Sequence, residues 1–145
     1  MIKLKNYTTE VPAATSIARI EKILIDFGAF NIMKEYQAGK VKTLSFIIEV
    51  DSLRLPFKVP ANVDKVAKWL RNQKPNATDK TIIEQAERIA WKQQYEIIFL
   101  QLNQIEMNQL EKLEVFFPYL YDVAGNKTYY EKMREQKFKG LLNNQ

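Results

Sequence analysis

Thr43-Leu44-Ser45-Phe46-Ile47-Ile48-Glu49-Val50-Asp51-Ser52-Leu53-Arg54-Leu55-Pro56-Phe57-Lys58-Val59 is the stretch whose pattern decides the fold class. Leu44, Phe46, Ile48 and Val50 alternate strictly with Thr43, Ser45, Ile47 and Glu49. After Asp51-Ser52, Leu53, Leu55, Phe57 and Val59 alternate in the same way with Arg54, Pro56 and Lys58. A period of two puts one set of side chains on one face of a strand, and two such runs joined by a tight polar turn form an antiparallel hairpin. Pro56 has no N–H for a ladder, so the second run belongs at a sheet edge. Upstream, Phe30, Ile32 and Tyr36, with Lys34 among them, are expected on one face of a further strand, turning at Gly39-Lys40. Ile2-Lys3-Leu4-Lys5 also alternates and is expected as a short edge strand, giving a sheet of three to four antiparallel strands.

Helical periods flank this sheet. Ile17, Ile20, Leu24 and Phe27 recur at helical steps, with Thr15 or Ser16 as the expected N-cap and Gly28 as a left-handed C-cap. Asn62 is expected to cap a short helix with Val63, Val66, Ala67 and Leu70 inward and Trp69 at its margin. Asn72 to Ala77 is polar, proline-broken loop. A long helix then starts at Thr78 or Thr81, where Thr81-x-x-Glu84 has capping-box spacing. Trp91, Tyr95, Ile98, Leu102 and Ile105 form its apolar stripe. The stripe slips after Ile105, so Asn108 is expected to cap a second helix that Pro118 stops near Phe117. Asp122 to Asn126 reads as a turn, Thr128 as the cap of a last helix reaching Phe138, and 142–145 as a frayed end. The expected architecture is α+β in one domain, with a sheet portion over 1–77 and a helical portion over 78–145.

Composition narrows the chemistry. The chain has no cysteine, which excludes disulfides, thiolate metal sites and cysteine nucleophiles, and no histidine, the usual base near neutral pH. Its four glycines form no phosphate-binding loop. These absences point to a non-enzymatic protein without a cofactor. Glu49 and Asp51 share a strand face and would suit magnesium, but no third ligand accompanies them in the sequence. No apolar run is long enough to span a bilayer and the first residues lack a signal-peptide core, so the expected setting is a cytoplasm. The formal charge of +5 is uneven: residues 1–80 carry a net +6, residues 81–121 a net −3 and residues 122–145 a net +2.

Several quoted segments resemble a family of small proteins encoded by phages and prophages. The resemblance rests on Ala86 with Ala90-Trp91-Lys92, Gln101, Glu114-Val115-Phe116-Phe117-Pro118-Tyr119-Leu120 and Gly125-Asn126-Lys127-Thr128-Tyr129-Tyr130-Glu131. It extends forward through Ile17 to Gly28, Leu44 to Val50 and Leu55 to Pro60. The chain departs from the family at Gln93-Gln94-Tyr95, where a second tryptophan commonly follows the first. The resemblance implies a setting, a mobile genetic element inside a bacterial host cell, and no particular activity.

Two surfaces are candidates for function. Lys34, Lys40, Lys42, Arg54 and Lys58 lie on or beside the strands, and Lys65, Lys68 and Arg71 share a face of the next helix, with Lys74 after them. Clustered cations of this kind are the electrostatic footprint of DNA or RNA phosphate binding, and equally of a solvated face. The helix–three strands–helix order is shared with double-stranded RNA-binding modules, an analogy of element order alone. The alternative is a protein-binding surface on the acidic helical half, with Glu111, Glu114 and Tyr119, for a host or defence protein. Trp91 and its stripe would serve as a stacking platform only if exposed; at helical spacing such a stripe is more often core.

Overall fold

A computed structural model describes residues 2–142. The chain is α+β, ordered α1 (Ala13–Phe27), β1 (Phe30–Gln37), β2 (Lys40–Val50), β3 (Leu53–Pro60), α2 (Val63–Gln73), α3 (Asp79–Glu106), α4 (Lys112–Phe116), β4 (Tyr121–Asp122), β5 (Lys127–Thr128) and α5 (Tyr129–Glu135). β1, β2 and β3 form an antiparallel meander in that order, and β4 and β5 a small separate ladder. Among the described residues this sheet has three strands, not four. Residues 2–5 pair with none of them and are instead tied to α3, where the Gln93 side chain donates to the Lys5 carbonyl at 2.9 Å. Of the tail expected to fray, 142–145, only the exposed Leu142 belongs to the described residues; 143–145 lie outside them.

The hairpin turns explain the meander. Asp51 and Ser52 have φ of 49° and 66°, and Ala38 and Gly39 have φ of 52° and 78°. Positive φ at both central residues is the primed turn whose twist suits two-residue hairpins. The first turn is therefore Ala38-Gly39, one residue earlier than expected, and Lys40 already pairs with Gln37. Cross-strand pairs Leu44–Val59, Phe46–Phe57 and Ile48–Leu55 line the covered face of the sheet. β3 is an edge strand, as Pro56 required, and Leu120 bridges to Phe57 on its outer flank.

Two bulges reset which face each residue of β1 and β2 takes. Phe30 pairs with Ile47 but Met33 with Ser45, which leaves an extra residue in β1 beside Asn31, at φ 29°. Phe30 thereby joins the open face with Ile47, while Ile32 packs on the core. The expected grouping of Phe30 with Ile32 is corrected by this extra residue. A second bulge sits at Lys42, because Glu35 pairs with Thr43 and Tyr36 with Val41. Tyr36 ends largely exposed.

The main core joins sheet, α1, α3 and α4. Phe46 stacks on Phe57 at 5.8 Å and meets the edge of Phe116 at 5.5 Å, beside Ile20, Leu24, Trp91, Ile98 and Leu102. Trp91 is 2% exposed, so its stripe is core. A second cluster of Ala67, Leu70, Ile82, Ala86 and Ile89 seals α2 against the first half of α3. With 28 residues α3 is about 42 Å long, and it supplies both clusters.

Helix ends depart from the sequence reading in instructive ways. α1 opens at Pro12, φ −59°, not at Thr15 or Ser16; proline is pre-set for a helix start, and Ser16 is buried inside the helix. Gly28 does end it in the left-handed region, at φ 106°. Thr78, not Thr81, caps α3, its hydroxyl accepting the Thr81 amide at 3.2 Å. Asn108 does not open α4. At φ 58° it closes α3, and the following Gln109 amide donates to Gln104 at 2.9 Å, while Glu111 caps the five-residue α4. Asn62 stands at the start of α2 as expected but is left-handed, with no side-chain cap. Thr128 caps α5, and its reciprocal partner is Glu131; α5 ends at Glu135, short of Phe138. Among the described residues no helix is long and apolar enough to cross a membrane.

Candidate nucleic-acid interface

The strand lysines are held by carboxylates that the fold brings from other elements of the chain. Lys34 lies at the covered face of β1 and meets Glu21 of α1 at 2.9 Å. That hydrogen bond holds its ammonium above the ordinary lysine range, against the lowering effect of partial burial. Lys40 bonds Glu87 of α3 at 2.6 Å, and Lys42 bonds Asp64 of α2 at 2.7 Å. Lys58, on the open face, bonds Glu35 at 3.0 Å and Asn126 Oδ1 at 3.2 Å, with its ammonium 4.8 Å from the centre of the Tyr121 ring. Its side chain is 13% exposed. Arg54 lies over the Phe30 ring at 4.3 Å.

The α2 cations are differently placed. Lys65, Lys68 and Arg71 stand exposed along one side of an eleven-residue helix. Among the described residues neither Lys65 nor Lys68 has an ion-pair partner. Arg71 has only a 3.5 Å contact to Asp79, itself 85% exposed, the kind of surface pair that contributes little. The expected basic set therefore divides in two. The strand members point to different neighbours around the sheet and do not converge, while the α2 members form one ridge.

Aromatic groups accompany that ridge. Trp69 is 37% exposed and meets Tyr7 edge-on at 5.6 Å, and the Lys74 ammonium lies 5.3 Å from the Tyr7 ring centre. Lys5, Tyr7, Lys65 and Trp69 share a cavity of about 320 Å³. Sequence reasoning placed Trp69 at the helix margin without joining it to the cations, though Lys65 and Trp69 are one helical turn apart. Nothing local marks Tyr7, which arrives from the N-terminal segment. That segment is fastened by Glu96 of α3. Partial burial pushes the Glu96 carboxyl up, but hydrogen bonds from Asn6, Lys92 and Lys5 outweigh it and hold the group below the usual range.

The acidic alternative set is also dispersed. Glu114 accepts the Glu111 amide at 3.0 Å and so serves the start of α4. Glu111 is exposed, and Tyr119 is half-buried beside the sheet edge and α2. Glu49 and Asp51 gather no third carboxylate among the described residues; Glu49 pairs across strands with Arg54, and its carbonyl accepts Lys112 Nζ at 2.8 Å. No protein-family model matches the chain, and no curated protein or solved structure matches it either.

Proposed function

We propose that the chain is a non-enzymatic accessory protein of a phage or other mobile element, working in the cytoplasm of its bacterial host and binding nucleic acid by its phosphate backbone. The observation that supports this reading is the α2 ridge: Lys65 and Lys68 exposed without carboxylate partners among the described residues, Arg71 beside them, and Trp69 with Tyr7 at the flank. Cations whose charge is not already spent inside the fold are those that release counterions on meeting phosphate. Exposed aromatics next to them offer faces on which unpaired bases stack. The proposed surface is thus narrower than the sequence suggested.

The test is a fluorescence-anisotropy titration of single- and double-stranded DNA and RNA over a series of salt concentrations. Three phosphate contacts predict a slope of log affinity against log salt of about −2 on single strands and about −3 on duplex. No binding at the lowest salt overturns the reading, since the electrostatic contribution is greatest there. A second reading, a protein-binding module, is favoured by Ile97 and Leu100, 52% and 60% exposed on α3 in a groove that also includes Tyr119. A lysate protein retained by the wild type and lost with Leu100→Glu, without nucleic-acid binding, would put that reading first.

A further inference from the structure

Between the open face of the sheet, the start of α2 and the C-terminal segment lies a cavity of about 550 Å³. Thr43, Lys58, Asn62, Lys65, Tyr119 and Tyr130 line it. This volume is that of a small-molecule site rather than a packing defect. Part of its polar lining is unspent. The Thr43 hydroxyl is buried with no hydrogen-bond partner among the described residues, which in a folded protein calls for an explanation. Asn62 stands at the α2 cap position but makes no capping bond with its side chain. Lys58 has three N–H donors, of which Glu35 and Asn126 take two, so a third remains. Lys65 has no carboxylate partner among the described residues. The one acidic side chain of the lining, Glu131, is occupied as the reciprocal cap of α5, accepting the Thr128 amide at 3.0 Å.

We propose that this cavity seats one nucleotide unit, its phosphate between Lys58 and Lys65 and its ring against Tyr119 and Tyr130. Two lysines that share one lining with a threonine hydroxyl and a side-chain amide suit a phosphate ester. The two tyrosines supply the flat faces that a base requires. The ligand is either a free mononucleotide or one nucleotide of a strand on α2, because Lys65 belongs both to the cavity and to the α2 ridge. The second form rests on the proposed function; the first does not.

The experiment is an amide NMR titration of the full chain with adenosine 5′-monophosphate, with adenosine as the phosphate-free control, and in parallel with a short oligothymidine. Saturable shifts at Thr43, Asn62 and Tyr119 with the monophosphate, and not with adenosine, support the site. Lys65→Gln then weakens the monophosphate about tenfold, as expected for a lost charged hydrogen bond. Thr43→Val keeps the shape of the side chain and weakens it about fivefold, the loss expected for a neutral hydrogen bond. Circular dichroism confirms that both variants fold. If the oligothymidine moves the same cavity resonances, the site serves a strand. If it does not bind at all while the monophosphate does, the cavity is a free-nucleotide site and the nucleic-acid reading fails alone. Oligothymidine binding with monophosphate shifts confined to α2, or absent, overturns the cavity proposal and leaves the nucleic-acid reading standing.

Discussion

The strand lysines and the α2 lysines have the same chemistry and opposite fates. A lysine on β1 or β2 lies in a sheet overlaid by helices, so its four-carbon stem reaches a carboxylate from whichever helix is near: Glu21 from α1, Glu87 from α3, Asp64 from α2. Lys65 and Lys68 project from the outer side of a helix whose inner side, Ala67 and Leu70, is the part that packs. A basic stretch in sequence therefore says little about surface potential until the packing is known. Lys34, Lys40 and Lys42 are parts of the scaffold, and the α2 cations are available to an outside anion.

The sharpest way to separate scaffold from surface is to damage each in turn, beginning with the core. Trp91→Ala removes a 2% exposed indole between sheet, α1 and α3. A loss of about 3–5 kcal/mol of unfolding free energy is expected from urea titration, enough to threaten a domain of this size. A loss under about 1 kcal/mol would mean that Trp91 is not the packing residue its burial indicates.

Next comes the contrast itself. Lys65→Glu/Lys68→Glu should weaken oligonucleotide binding more than tenfold at low salt and flatten the salt slope to less than half. Stability should move by no more than about 0.5 kcal/mol, since both groups are exposed surface positions. Lys40→Ala/Lys42→Ala should do the reverse, costing about 0.2–1 kcal/mol for each exposed pair and leaving binding within about twofold. Equal effects of the two double variants on binding would erase the distinction and restore a broad basic surface.

The limits of the sequence follow the same physical line. The Leu44–Val59 hairpin was legible because strict alternation over two runs has only one inexpensive arrangement, half in the core and half out. The Trp91 stripe was legible because five apolar residues at helical spacing need something to cover them. The bulges at Asn31 and Lys42 were not legible, because an extra residue leaves no compositional trace and still reverses the face of Phe30. Hydroxyls misled at Thr15 and Ser16, where Pro12 opens the helix instead, whereas of the two expected starts of α3 it is Thr78 that caps it. The pairing of the strand cations was invisible for a simpler reason. Lys40 and Glu87 are 47 residues apart, and only the fold makes them neighbours.

The smallest expected effect concerns Lys5, a cation that stands between the two classes. It is bound to Glu96 at 3.3 Å, as a strand lysine would be bound, yet it shares a cavity with Lys65. Glu96 is depressed in the folded chain, so its contribution to stability is present above the unfolded glutamate value near 4.5 and is lost as pH falls through the lower folded value. Acidification through that window should therefore release the N-terminal segment from α3, at a cost of a few tenths of a kcal/mol for a partly exposed cluster. Hydrogen-exchange protection at Asn6 and Tyr7 should fall there while core amides of β2 stay protected. Glu96→Gln should show the loosened segment at every pH, with one more unpaired cation beside α2 and slightly tighter oligonucleotide binding near neutrality. Wild-type protection at Tyr7 unchanged down to about pH 3 would show that Gln85 and Gln93, which bond the backbone of the same segment, hold it without the carboxylate.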